Sequence, residues 1–112
     1  MCLAIFQPPG KKVPLLHLQR ASIWNPHGMG FSYAHNGQLH VVKGLFHLTK
    51  FLVELKKVPE SAPVMIHFRA ASHGLVTQEN CHTFWIDKSH TVIHNGMVPG
   101  MGSVTQSDTR EF

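Results

Sequence analysis

The chain has 112 residues, of which 43% are hydrophobic, and this is enough for one globular core and too few for two ordinary domains. Ten Lys and Arg residues against six Asp and Glu residues give a formal charge of +4, but the basic residues are scattered, so we expect no nucleic-acid partner. No apolar run approaches the roughly 18 residues of a membrane span and the start lacks a secretory signal pattern, which predicts no membrane partner and a cytoplasmic location.

The first segments are predicted to form a strand and a helix. Residues 2–7 alternate loosely between apolar and polar and favour a short strand, which the Pro-Pro-Gly sequence at 8–10 ends. A helix of one or two turns is expected to begin at Pro14, with an apolar stripe along 15–23, and to stop before Asn25.

The middle of the chain is predicted to form a β-hairpin followed by a second helix. Asn36-Gly37 is typical of a tight turn, here between strands at 30–34 and 38–42. Both central positions of such a turn need a positive φ, which Asn and Gly tolerate. Apolar residues then recur at helical spacing across 45–57, with charged residues on the other face.

Three more strands are expected in the second half of the chain. Segment 64–72 is mostly apolar, and segments 83–86 and 91–94 flank a polar turn. Near the end, Asp108 is expected to cap a short helix, because the residues from Asp108 onward resemble a capping box. Helices that bracket a largely antiparallel sheet define an α+β fold class.

Cys2 is the first residue whose chemistry indicates a function. Removal of Met1 would leave a thiol beside a free α-amine, which is a nucleophile together with its own base. The α-amine has a reference pKa of about 7.7 to 8.0, so part of it is free to take a proton near neutral pH. An inert residue at the start of a strand is the alternative interpretation of Cys2. In a chain without a signal peptide, Cys2 and Cys81 are expected to stay reduced.

Five further segments combine with Cys2. They are NPHGMG at 25–30, HFRAASHG at 67–74, NCHTF at 80–84, HNG at 94–96 and SDT at 107–109. Together, in order and spacing, they resemble the glutaminase domain of the class II glutamine amidotransferases, along nearly the whole chain. That family consists of N-terminal-nucleophile hydrolases with a four-layer αββα sandwich.

The resemblance implies that residues 1–112 are a glutamine amidotransferase type 2 domain. The domain of the family usually runs well past the position of Asp108, and four layers are hard to complete from a chain of this length. We therefore expect only the N-terminal part of the αββα sandwich, truncated at its C-terminus. The sequence does not specify the acceptor of the ammonia. It is compatible with a simple glutaminase and with an amidotransferase that has a separate acceptor domain or synthetase partner.

The resemblance also implies a reaction for Cys2. Its thiol attacks the side-chain amide of L-glutamine, releases ammonia and leaves a γ-glutamyl thioester that water hydrolyses to glutamate. The tetrahedral oxyanion needs fixed donors, and the resemblance assigns them to the Asn95 side-chain amide and the Gly96 backbone N–H. The α-amine of Cys2 serves as the base through one water. A plain turn after a strand is the alternative explanation of Asn95-Gly96.

Four residues are expected around the substrate, namely Arg69, Ser72, His73 and Asp108. Arg69 lies in an apolar strand where an unpaired charge would be costly, so its guanidinium should face a cleft or an acid. The resemblance assigns Arg69 to the α-carboxylate of glutamine, Asp108 to its α-ammonium group, and Ser72 with His73 to the same pocket. A structural ion pair of Arg69 and a structural role of His73 are the alternatives.

Two other functions remain open for this sequence. Ten histidines suggest a His/Cys metal-binding domain, but His90 and His94 fall on an expected strand, where their rings would lie roughly 13 Å apart. We therefore expect no metal and no other cofactor. A non-catalytic interaction domain that keeps the fold and has lost turnover is the second alternative.

Overall fold

The computed structural model describes residues 2–72 and 74–111. Its main sheet contains four antiparallel strands, β1 (Leu3–Gln7), β2 (Met29–His35), β3 (Gln38–Leu45) and β4 (Val64–Phe68). Their order across the sheet is β1-β4-β2-β3, so that β4 lies between β1 and the β2–β3 hairpin. Two short strands, β5 (Phe84–Trp85) and β6 (Thr91–Val92), form a separate antiparallel pair. The α+β fold class is confirmed.

Three α-helices accompany the sheets in the described residues: α1 (Leu15–Trp24), α2 (Leu48–Lys56) and α3 (Asp108–Glu111). Helix α1 has ten residues and is longer than predicted. Helix α2 begins later than predicted, because Leu45 still pairs with Met29 in the hairpin. None of these helices combines the length and the apolar character that crossing a membrane would require.

The core lies between one face of the main sheet and helices α1 and α2. It consists of Leu18, Ala21, Met29, Phe31, Phe51, Val64, Ile66 and Phe68. The Phe51 ring of α2 lies 5.8 Å from that of Phe31 and 5.2 Å from that of Phe68, so the helix is anchored over β2 and β4. Of the predicted apolar stripe on α1, only Leu18 is buried, whereas Leu15, Leu16 and Ile23 are exposed.

The hairpin turn confirms the local prediction. Asn36 has a φ of 51° and Gly37 a φ of 73°, which is the backbone conformation that the Asn-Gly pair favours. The strands predicted at 64–72, 83–86 and 91–94 are all shorter than predicted, so that Arg69 and Ser72 lie beyond the end of β4. In the turn between β5 and β6, the Asp87 carboxylate accepts the Ser89 N–H and contacts His90 Nδ1, both at 2.8 Å.

The opposite face of the main sheet is partly covered by the segment that contains β5 and β6. Gly30 of β2 lies directly beside His67 of β4, and the His82 backbone crosses at this point. A Cβ atom on Gly30 would overlap the His82 carbonyl oxygen, so the close approach requires glycine here. Residues 80–84 therefore lie against the centre of the sheet, on the face opposite to the helices.

Candidate active site

Cys2 lies at the end of the sheet where β4 finishes. Because Leu3 pairs with Phe68, Cys2 comes level with the residues that follow β4. The Ala70 N–H donates to the Cys2 sulfur at 3.3 Å, and the thiol donates to the Ala70 carbonyl at 3.4 Å. Cys2 is half-buried and not in a disulfide. The strand pairing thus holds the thiol beside the motif that contains Arg69.

Arg69 is only 2% exposed and lies one residue beyond β4. Its guanidinium donates to the carbonyl oxygens of Leu75 at 2.8 Å and Gly74 at 3.5 Å, which fixes its plane. Burial lowers the pKa of Arg69, and the charges of nearby Cys81, Cys2 and Asp108 act in the opposite direction, with Cys81 contributing most. The Cys2 thiol and the Asp108 carboxylate are therefore close enough to Arg69 to interact with its charge.

Asp108 is buried and bonded to backbone, although it does not cap α3 as predicted. Helix α3 begins at Asp108, so the preceding Ser107 takes the cap position and its hydroxyl accepts the Arg110 N–H at 3.2 Å. One carboxylate oxygen of Asp108 accepts the Thr109 N–H at 2.9 Å, and the other accepts the Val98 N–H. Asp108 thus ties the start of α3 to the loop after Asn95-Gly96.

The loop containing Asn95 and Gly96 is exposed. Gly96 has a φ of 133°, a conformation that side chains disfavour. Among the described residues, no hydrogen bond joins the Cys2 sulfur to Asn95 or Gly96, and both of its bonds are to Ala70. Ser72 is also exposed, in the loop after β4, and His73 lies outside the described residues. Of the predicted site residues, the structure brings together Cys2, Arg69 and Asp108.

Comparison of the chain with models of known protein families, with curated proteins and with solved structures finds no match. Its function is therefore inferred from the side-chain geometry and from the motifs themselves. Within residues 2–72 and 74–111, no group of three or more His, Cys, Asp and Glu side chains is arranged to hold a metal ion.

Two buried histidines, His67 and His82, form a stacked pair that the spacing of the sequence does not indicate. The ring of His67 on β4 stacks on that of His82, with centroids 3.8 Å apart and an interplanar angle of 11°. His67 Nε2 lies 3.1 Å from the His94 carbonyl oxygen, and the His94 N–H donates to His82 Nδ1 at 3.1 Å. Both backbone polar groups of His94 are therefore held by imidazoles.

The His67 and His82 rings are neutral at neutral pH. Burial lowers the pKa of His67 to about 4 and that of His82 to about 2. The hydrogen bond to the His94 backbone opposes the shift of His67, whereas the charges of His67 and Arg69 add to the shift of His82. A neutral His67 must carry its proton on Nε2 to donate to a carbonyl oxygen. A neutral His82 must carry its proton on Nε2 to accept at Nδ1.

Two further polar residues organise the loops of the site. Asn80 is fully buried, and its amide donates to the Thr105 carbonyl at 2.8 Å while its oxygen accepts the Ser107 N–H at 2.9 Å. His27 Nδ1 accepts the Ala71 N–H at 2.8 Å, which fixes the segment that follows β4. Both residues belong to motifs that the sequence singled out, but nothing in the local pattern indicated these contacts.

Acid is expected to destabilise the chain through the buried histidines. The unfolded imidazole of His67 takes up a proton below its ordinary pKa of 6.5, whereas the folded one resists until about pH 4. The unfolded state therefore binds more protons between these values, so the stabilisation is complete above pH 6.5 and falls as the pH decreases. The loss at pH 4 should be on the order of 3 kcal/mol from His67 alone.

Urea unfolding at pH 7.5, 6, 5 and 4 measures this effect. The variant His67→Gln cannot titrate and should show a shallower decline in the free energy of unfolding than the unmodified chain. Replacement of the exposed His17 with Gln is the matched control, because it removes one histidine and leaves the buried rings in place. An identical pH profile for all three proteins would contradict the burial of a neutral His67.

Proposed function

We propose that the chain is a class II glutamine amidotransferase-like amidohydrolase, which releases ammonia from the side-chain amide of L-glutamine for transfer to an acceptor. The observation that carries the proposal is a set of hydrogen bonds that links three distant parts of the sequence. Cys2 bonds to Ala70, the neighbour of Arg69, and the Leu75 carbonyl that accepts from Arg69 also accepts from Asn80, which in turn bonds to Ser107, the neighbour of Asp108. A nucleophile, a planar cation and a carboxylate match the three polar features of an amino acid with an electrophilic side chain.

Cys2 performs the covalent chemistry in this proposal. The thiolate sulfur attacks the amide carbon of glutamine, the carbon–nitrogen bond breaks, and ammonia leaves with a proton from the base. Water then adds to the thioester, and glutamate and the thiol are released. The base is the α-amine of Cys2, acting through one water, so the proposal requires that Met1 be removed.

Arg69 and Asp108 would bind the backbone groups of glutamine. The carbonyl oxygens of Leu75 and Gly74 hold the guanidinium in a fixed plane, and this preorganisation favours a carboxylate partner. Asp108 already accepts two backbone N–H groups, but a carboxylate has about four acceptor sites and can also receive an ammonium group. Ser72 and His73 are proposed to line the same pocket.

Asn95 and Gly96 would supply the donors for the tetrahedral oxyanion. Their loop is held at both sides, by the contacts of His94 and by the bond from Val98 to Asp108. The layered arrangement supports the αββα sandwich as the finer fold, because helices cover one face of the main sheet and the β5–β6 segment crosses the other. An acceptor domain or a synthetase would consume the ammonia.

Covalent labelling tests the assembled site directly. Chain that lacks Met1, confirmed by intact mass, should gain one adduct from a glutamine-like diazoketone, and peptide mapping should locate it on Cys2 rather than Cys81. L-Glutamine should slow the labelling and D-glutamine should not, since the reversed α-centre misplaces the carboxylate and ammonium groups. Labelling of neither cysteine, or of Cys2 without protection by L-glutamine, would contradict the proposed pocket.

A further inference from the structure

The stacked imidazoles of His67 and His82 form hydrogen bonds with the backbone of His94, which lies outside the strands. Strand β6 ends at Val92, so the backbone N–H and carbonyl of His94 lie beyond the β5–β6 ladder. Buried backbone groups need hydrogen-bond partners, and the two imidazoles provide one acceptor and one donor. The two imidazoles thus make the hydrogen bonds to the His94 backbone that a neighbouring strand would otherwise make.

His94 is held from a third side as well. Its Nδ1 lies 3.3 Å from the Thr109 hydroxyl of α3, and the adjacent Asp108 accepts the Val98 N–H. Residues 95–97 between these two attachments are exposed. A short segment with both ends fixed has few conformations, so the direction of its backbone depends on the attachments.

We propose that His67 and His82 are positioning residues for the amide hydrolysis: by fixing the backbone of His94, they set the direction of the Asn95 amide and the Gly96 N–H. This inference rests on the proposed function. Neither histidine touches the substrate, and their effect passes through the loop. Oxyanion donors must be aimed in advance, because a misplacement of about 1 Å can cost about 10²-fold in rate.

The chemistry of the pair suits this role. His67 Nδ1 is buried and has no hydrogen-bond partner in the part of the chain that the structure describes, which is a cost that an apolar side chain would not carry. The other nitrogen of His67 therefore has a use that offsets this cost, and its contact is the His94 carbonyl. Burial, and after it the nearby charges of His67 and Arg69, lower the pKa of His82, so its Nδ1 stays an acceptor at neutral pH.

The experiment compares His82→Phe with His82→Asn. Phe keeps a ring stacked on His67 but removes the acceptor for the His94 N–H, whereas the Asn side-chain oxygen can take the place of Nδ1. We expect His82→Phe to lower kcat for glutamine hydrolysis by about 10- to 100-fold with KM within about threefold, and His82→Asn to recover most of this loss. The rate of Cys2 alkylation by iodoacetamide should be equal in all three proteins.

A double-mutant cycle tests whether the effect passes through the loop. In an Asn95→Ala background, His82→Phe should cause a much smaller further loss of kcat, because the donor that it misdirects is already absent. A full and additive loss would overturn the proposal. So would an equal loss in His82→Asn and His82→Phe, since a purely structural role would not distinguish them.

Hydrogen exchange separates this inference from the proposed function. The His94 amide should exchange faster in His82→Phe than in the unmodified chain, and His82→Asn should restore its protection. If the unmodified chain releases no ammonia from glutamine, the proposed function fails, while the exchange rates still report on the His94 contact. Equal exchange rates in all variants would overturn the positioning role whatever the activity.

Discussion

Replacement of Cys2 with Ala is expected to abolish ammonia release from glutamine. The substitution removes the sulfur that attacks the amide carbon, so the thioester cannot form. Loss of a nucleophile of this type lowers kcat on the order of 10⁴-fold or more. Coupled detection of ammonia and glutamate measures the effect, with glutamate formation excluding ammonia from other sources.

Cys81→Ala is the matched control for Cys2→Ala. Cys81 is fully buried, its thiol donates to the Thr77 carbonyl at 3.3 Å, and burial raises the pKa of its thiol. It is therefore an inert thiol. We expect Cys81→Ala to retain activity and to lose about 1 to 2 kcal/mol of stability from the small cavity and the missing hydrogen bond.

Comparing the activities of the two cysteine variants shows whether Cys2 acts as the nucleophile or whether loss of any cysteine lowers the activity. A Cys2→Ala protein that still releases ammonia at the rate of the unmodified chain would remove Cys2 from the mechanism. Equal losses in Cys2→Ala and Cys81→Ala would indicate that folding, rather than a nucleophile, limits the activity. Circular dichroism of both variants, compared at the assay temperature, separates these outcomes.

Local patterns in the sequence predict much of the fold. The Asn36-Gly37 turn, the strand at 2–7 and the helix over 45–57 depend on residues that are close in sequence, and the structure contains all three. The end of α2 and its buried Phe51 follow from the same periodicity. The predicted start of α2 is wrong because a contact between distant residues determines it: Leu45 pairs with Met29 in the hairpin.

The candidate site depends more on distant contacts. Motif order indicated which residues to consider, but the pairing of β1 with β4 is what carries Cys2 to Arg69. The stacking of His67 on His82 and the bond from Val98 to Asp108 likewise join segments that no periodicity relates. The cap of α3 lies at Ser107 rather than Asp108, and the Asp108 carboxylate bonds to another loop. Local propensity contains no information about such choices.

Asn95→Ala is expected to lower kcat by about 10² to 10³-fold and to leave KM nearly unchanged. The amide of Asn95 is proposed to donate to the oxyanion, which exists only on the reaction path, so its loss affects the transition state and not substrate binding. Asn95 is exposed, and its replacement should change the free energy of unfolding by no more than about 0.5 kcal/mol. Steady-state kinetics and urea unfolding of the same preparation measure both quantities.

The second Asn-Gly pair of the chain provides the matched control. Asn36 has a positive φ in the β2–β3 turn, so Asn36→Gly fits the same backbone and should leave both kcat and stability close to those of the unmodified chain. If Asn95-Gly96 were only a turn of this kind, Asn95→Ala would have equally little effect on kcat. A selective loss in Asn95→Ala, with unchanged thiol alkylation at Cys2, would instead assign the donor role to Asn95.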